Sequence, residues 1–206
     1  MQKRNILIIG IFVVVGLAFW YTLTRSTDEE IYVENIQKER ERQFRFLKFN
    51  LDSPLEDHQK SELTSLSFYP IDMSYRVRAK MIPAEDRRML EIPMTDGTVE
   101  KYLKHSYAEF QLNGQPLRLL LLQAAKESDK RNFFLAFADD TSGEETYGGG
   151  RYINLRQDGK NSITIDFNMA YNPYCAYNPD YACPLPPREN ILEIPIRAGE
   201  KDYKKD

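Results

Sequence analysis

The stretch "VEKYLKHSYAEFQLNGQPLRLLLLQA", residues 99–124, decides the fold class. Two strand-like runs flank Asn113-Gly114, a dipeptide that tolerates the positive φ of a two-residue hairpin turn, so the spacing predicts a pair of antiparallel strands. Upstream, "YRVRAKMI" (75–82) alternates polar and apolar residues, and downstream "NFFLAFAD" (132–139) reads as a short apolar strand. A second hairpin is predicted in "RYINLRQDGKNSITIDF" (151–167), turning at Asp158-Gly159, and "NILEIPI" (190–196) reads as a closing strand. Strands separated by polar turns, without helices alternating between them, predict a mainly β fold, an antiparallel sandwich or a partly closed barrel.

The N-terminus has a different character. "ILIIGIFVVVGLAFWYTL", Ile6 to Leu23, carries no charge. At 1.5 Å rise per residue it would reach roughly 27 Å, about the thickness of a hydrocarbon core. Lys3 and Arg4 precede it, Trp20 and Tyr21 suit the far interface, and no small-residue cleavage site follows. These features predict a retained single-pass anchor at the cell membrane, with the rest of the chain outside the cytoplasm; a cleaved signal peptide is the alternative. Thr27 and Glu30 stand at capping-box spacing ahead of "EEIYVENIQKERERQFRFLKFN", which predicts a juxtamembrane helix: a solvated stalk that docks at its far end. Ser53, Pro54 and Glu56 predict the cap of a further short helix. The expected domains are therefore 1–25 (transmembrane anchor), 26–52 (juxtamembrane helix) and 53–206 (extracytoplasmic β domain).

Of the 28 basic residues, 26 remain once Lys3 and Arg4 are set aside, against 31 acidic ones, a balance of −5. Phosphate binding needs clustered positive charge, so nucleic acid is not expected as a partner.

Chemistry concentrates between residues 146 and 190. Gly148, Gly149 and Gly150 lead into a strand rather than a helix, which is the wrong context for a phosphate-cradling loop. Alternation sets Asp166 and Asn168 on one strand face, and a turn at Asp158-Gly159 would put Arg151 directly opposite Asp166. Two Asn-Pro steps and a run of prolines predict an ordered, irregular loop, in which Asn168, Asn172 and Asn178 can bond the loop's own backbone. Cys175 and Cys183, the chain's two cysteines, are read first as a disulfide contributing about 2–3 kcal/mol. The rivals are a metal site and a nucleophile paired with His105; with His58 and His105 the only histidines, no metal or cofactor is indicated.

The order "TSGEETYGGGRY", "IDFNMAYNPYCAY", "CPLPPREN" and "RAGEK" resembles the bacterial family catalogued as domain of unknown function sixteen-eighty-four. "SFYPID", "YRVRAK" and "MTDG" fit the same pattern, so the likeness runs from about Phe44 to Lys201. What it implies is modest: a domain carried by lipoproteins, membrane-anchored proteins or soluble chains, with no settled activity, substrate or cofactor. Its pattern positions include Asp139, Thr146, Tyr147, Gly150, Arg151, Asp166, Asn168, Asn172, Tyr177 and Asn190, mostly polar or aromatic types, which reads as a site or as a polar scaffold holding one.

Three functions compete. The first is a binding module with a pocket lined by Tyr147, Arg151, Asp166, Asn168, Asn172 and Tyr177, suited to a small anionic or carbohydrate-like ligand. A hydrolase using Asp166 as base or Cys175 as nucleophile is the second. In the third, the tyrosine-rich loop meets another envelope protein.

Overall fold

The computed structural model describes residues 2–203, apart from the side chains of residues 2–11, 18 and 22–27. Helix α1 runs unbroken over Gln2–Phe49, so the expected helix start at Thr27 is absent. Among the described residues no helix is long and apolar enough to cross a membrane; the expected span Ile6–Leu23 lies partly outside that set. By its contacts the chain divides into two units, Met1–Glu41 and Arg42–Asp206. The first unit is helical and carries an exposed Lys38–Glu34 ion pair at 2.7 Å.

In the second unit, the end of α1 contributes Phe44, Phe46 and Leu47 to an apolar cluster with Leu55, Leu63, Ala176 and Tyr177. Helix α2 (Asp57–Glu62) begins three residues later than the Ser53 cap predicts. Glu56 caps it, with its N–H donating to Gln59 Oε1 at 3.0 Å. Ser53 instead donates to Leu47 O at 2.5 Å and accepts from Leu55 N–H at 3.2 Å, closing the bend after α1.

Seven strands follow: β1 (Arg76–Pro83), β2 (Met89–Pro93), β3 (Val99–Leu112), β4 (Gln115–Ala124), β5 (Asn132–Phe137), β6 (Arg151–Arg156) and β7 (Ser162–Asp166). They form one antiparallel, nearly closed barrel sheet in the order β6-β5-β4-β3-β1-β7, with β2 also pairing β3. Of the two expected architectures, the partly closed barrel is the one adopted. The β3–β4 turn is the predicted one, with Asn113 at φ 52° and Gly114 at φ 77°, and Leu112 opposite Gln115.

A bulge between Lys104 and Ser106 reverses which face of β3 points inward. Beyond it Ala108, Phe110 and Leu112 face the barrel core with Leu119 and Leu121; before it Tyr102 joins Leu120, Leu122 and Ile92 in a separate cluster. The four consecutive leucines of β4 are thus buried on both faces, and the interior is filled by side chains.

Two expected elements are corrected. The turn at Asp158-Gly159 does not make a hairpin: β6 pairs β5, β7 pairs β1, and the two approach each other at the barrel seam without a ladder. Local bonds widen the connection. Asp158 accepts from Thr164 N–H and hydroxyl (3.2 and 2.5 Å), and Gln157 N–H reaches Arg131 O at 2.8 Å. The stretch "NILEIPI" forms no regular strand. Asn190 sits in a 3-10 turn, and the segment is tied to the chain just past β5 by Ala138 N–H to Asn190 O (3.0 Å) and Leu192 N–H to Ala138 O (2.8 Å). Pro195, which has no N–H, interrupts any further ladder.

Candidate functional site

Arg151 follows Gly150, whose φ of +85° and close approach exclude a side chain: a Cβ would meet Phe137 O and Pro186 Cγ at 2.6 Å. The bend turns Arg151 inward, where its side chain is 0% exposed. Nη2 donates to Asp139 Oδ2 at 2.9 Å and to Ile196 O at 2.8 Å; Nη1 donates to Ala198 O at 2.5 Å and Glu200 O at 3.2 Å. The guanidinium therefore clamps residues 196–200 to the barrel. Asp139 is held in turn, accepting through Oδ1 from Thr141 N–H (2.9 Å), Thr141 hydroxyl (2.7 Å) and Ile196 N–H (3.1 Å).

Glu200 lies at the end of the clamped segment and is also buried. Tyr177 hydroxyl donates to Oε1, while Oε2 accepts from Gln43 Nε2 at 2.5 Å and Asn172 N–H at 2.9 Å. Burial pushes its carboxyl up to about 7, against the hydrogen bonds and Arg151, which pull it down. Asn172 ties the same segment by Nδ2 to Lys201 O at 2.7 Å. Asn190 acts as a spare peptide unit between β4 and β5: Oδ1 accepts from Leu120 N–H (2.6 Å), and Nδ2 donates to Leu120 O (3.0 Å) and Ala136 O (2.8 Å).

The expected Arg151–Asp166 pair does not form. Asp166 stands opposite Arg76 on β1, with Arg76 Nε 3.9 Å from Oδ2, and it accepts from Asn168 N–H at 3.0 Å and Nδ2 at 3.1 Å. Asn168 in turn bonds the backbone of Asp72: its Oδ1 accepts from Asp72 N–H at 3.0 Å, and its Nδ2 donates to Asp72 O at 2.8 Å.

The cysteines are a further correction, for both are free thiols. Cys175, on the short helix α3 (Tyr174–Tyr177), donates its N–H to Cys183 Sγ at 3.1 Å, and its own Sγ receives the Tyr147 hydroxyl at 3.5 Å. Hydrogen bonds from Cys183 and Tyr147 hold the Cys175 thiol well below the usual range, and the same contact with Cys175 pushes Cys183 up.

The six residues expected to line one pocket thus fall into separate groups. Asn172 and Tyr177 meet at Glu200, Arg151 clamps the same segment, Asp166 and Asn168 hold the start of β1, and Tyr147 sits on the thiols. Glu200 and Gln43 were missed. Only the order "RAGEK" pointed toward the first, and Gln43 is hidden in a charged helical run.

Beside this polar belt lies a cleft of about 530 Å³, lined by residues 62–67, Glu144, Glu145 and residues 200–203. Its walls are tied down. Glu145 accepts from Arg197 Nη2 (2.9 Å), Arg197 Nε (3.1 Å) and Tyr69 hydroxyl (3.0 Å), and Lys201 N–H donates to Ser67 O at 2.8 Å.

No curated protein matches the chain. Its fold is similar to the solution NMR structure of an uncharacterised protein of Haloarcula marismortui, at 35% identity and a TM-score of 0.65, covering 84% of this chain and 96% of that one. The family model described as protein of unknown function (DUF1684) matches residues 61–201, a span that holds every polar clamp described above except Gln43, and the chain belongs to that family.

Proposed function

We propose that the protein is a membrane-tethered binding module that takes a small, hydroxyl-rich, carbohydrate-like ligand in the cleft between residues 62–67 and 200–203. The observation that carries this reading is the cleft's chemistry: about 530 Å³ lined by the hydroxyls of Thr64, Ser65 and Ser67 and the carboxylates of Glu62, Glu144 and Asp202. A volume of this order suits a small molecule, and donor and acceptor groups on a rigid wall suit one that offers many hydroxyls. An anionic ligand fits poorly, because carboxylates outnumber the one lysine of the lining and Arg151 is spent internally.

Tethering rests on the uncharged run Ile6–Leu23 behind Lys3 and Arg4, with the barrel outside the cytoplasm. Isothermal titration of the full chain in detergent with neutral and amino sugars tests the ligand. Ser67→Ala and Glu144→Gln should each weaken binding about five- to tenfold. No heat with any sugar, or variants that bind as the parent does, would refute the cleft. Protease added to intact spheroplasts should digest the barrel; full protection would refute the topology.

A further inference from the structure

We propose that Cys175 and Cys183 form a hydroperoxide-reactive site in which Cys175 is the attacking thiol and Cys183 resolves the product. This does not depend on the cleft or its ligand. The pair is held by backbone rather than by chance proximity of side chains. Cys175 N–H points at Cys183 Sγ (3.1 Å), Cys183 N–H donates to Thr95 Oγ1 (3.0 Å), and Thr95 N–H donates to Cys183 O (3.0 Å). Both cysteines belong to one buried cluster with Ala136 and Tyr152.

Their surroundings differ. Cys175 Sγ receives the Tyr147 hydroxyl at 3.5 Å, a side-chain contact that favours its thiolate, whereas Cys183 Sγ receives the backbone N–H of Cys175. Both cysteines are buried, at 8% and 5% exposure. The pair rests against Ala136 and Tyr152 on the outside of the sheet, away from the barrel core. Other uses of the pair lack partners. Among the described residues no third metal-ligating side chain joins the sulfurs, and neither sulfur's hydrogen-bond partners include an imidazole.

In the first step the Cys175 thiolate attacks the distal oxygen of a hydroperoxide. The S–O bond forms as the O–O bond breaks, and the leaving alkoxide takes a proton to depart as the alcohol, or as water when hydrogen peroxide is the oxidant. Cys183 then gives up its proton and its sulfur attacks the sulfenic sulfur of Cys175. The S–S bond forms as the S–O bond breaks, and hydroxide leaves with that proton as water. Two thiols lose two electrons in all, and the peroxide gains them.

The test uses the reduced full chain in detergent and hydrogen peroxide. Wild-type protein should lose two hydrogen atoms in mass and both alkylatable thiols, without dimerising. Cys183→Ser should stop at a sulfenic acid on Cys175 that dimedone traps, and Cys175→Ser should leave Cys183 at least about tenfold slower to react. Differential alkylation of the unsubstituted protein reads the same asymmetry with no variant to misfold: Cys175 should be labelled first, with a pH midpoint well below the ordinary value of about 8.5. Two thiols that survive peroxide while a free cysteine peptide is oxidised, or that react at equal rates, would overturn the proposal.

Discussion

The barrel interior and the belt beneath residues 196–201 are equally buried but built from opposite chemistry. The interior holds Val77, Ala108, Leu119, Leu121, Ile163 and their neighbours, where attraction is non-directional and one aliphatic residue can replace another at modest cost. In the belt the partners are particular ones: Arg151 for Asp139 and three carbonyls, Glu200 for Tyr177, Gln43 and Asn172, with Arg151 Nε and Asn172 Oδ1 left unpaired. The difference teaches why this chain's distinctive residues are polar. A segment without regular secondary structure must satisfy its backbone with side chains, and only particular side chains reach.

The sharpest way to break the comparison is at Arg151. Arg151→Ala should strand the Asp139 carboxylate and cost about 3–5 kcal/mol, whereas joining it with Asp139→Leu should recover part of that loss. Urea unfolding of both variants measures this, and a loss below about 1 kcal/mol in the single variant would mean that the belt is solvated.

Glu200 yields the next effect. Its folded value, raised to about 7, lies above the ordinary carboxyl value, so between about pH 4.5 and 7 the folded state binds the extra proton. Stability should therefore be greatest below the unfolded pKa and fall by about 3 kcal/mol as pH rises through that window, then level off. Thermal melts across pH should show this slope in the parent and a flatter one in Glu200→Gln.

Asn190→Ala should cost about 2–3 kcal/mol, because Leu120 N–H, Leu120 O and Ala136 O lose their partner between β4 and β5. Faster hydrogen exchange at Leu120 than elsewhere in β4 would locate the damage.

The smallest effect is expected at the sheet edge. Arg76 is half exposed and sits 3.9 Å from Asp166, so Arg76→Ala should change stability by no more than a few tenths of a kcal/mol. A loss comparable to that of Arg151→Ala would erase the distinction between buried and surface ion pairs on which the comparison rests.

Legibility in the sequence divides along the same line. The strand pattern of β1, β3, β4 and β5 was readable, because alternation and Asn113-Gly114 are local signals. The failures came where one local signal had to compete with distant partners. Asp158-Gly159 looked like a hairpin, but the Asp158 side chain was drawn to Thr164 and β7 found β1 instead. Asp166 and Asn168 were expected on one strand face; Asp166 ends β7 and Asn168 lies in the 3-10 turn that follows, where the two bond each other and Asn168 bonds Asp72. Tyr147, Arg151, Asn172 and Tyr177 were picked out as chemically unusual without any means of knowing that their partners lay in residues 196–201, or for Tyr147 in Cys175.

What the sequence by itself determined is the β class, the one tight hairpin, the uncharged N-terminal run and the block of polar residues that marks the family. Each follows from periodicity, composition or residue type within a few dozen positions. Tertiary structure alone decided the strand order, the face reversal at the β3 bulge, the free thiol pair and the buried belt. Each of these depends on which distant backbone groups a side chain must satisfy once water is excluded, and that cost exists only in the folded chain.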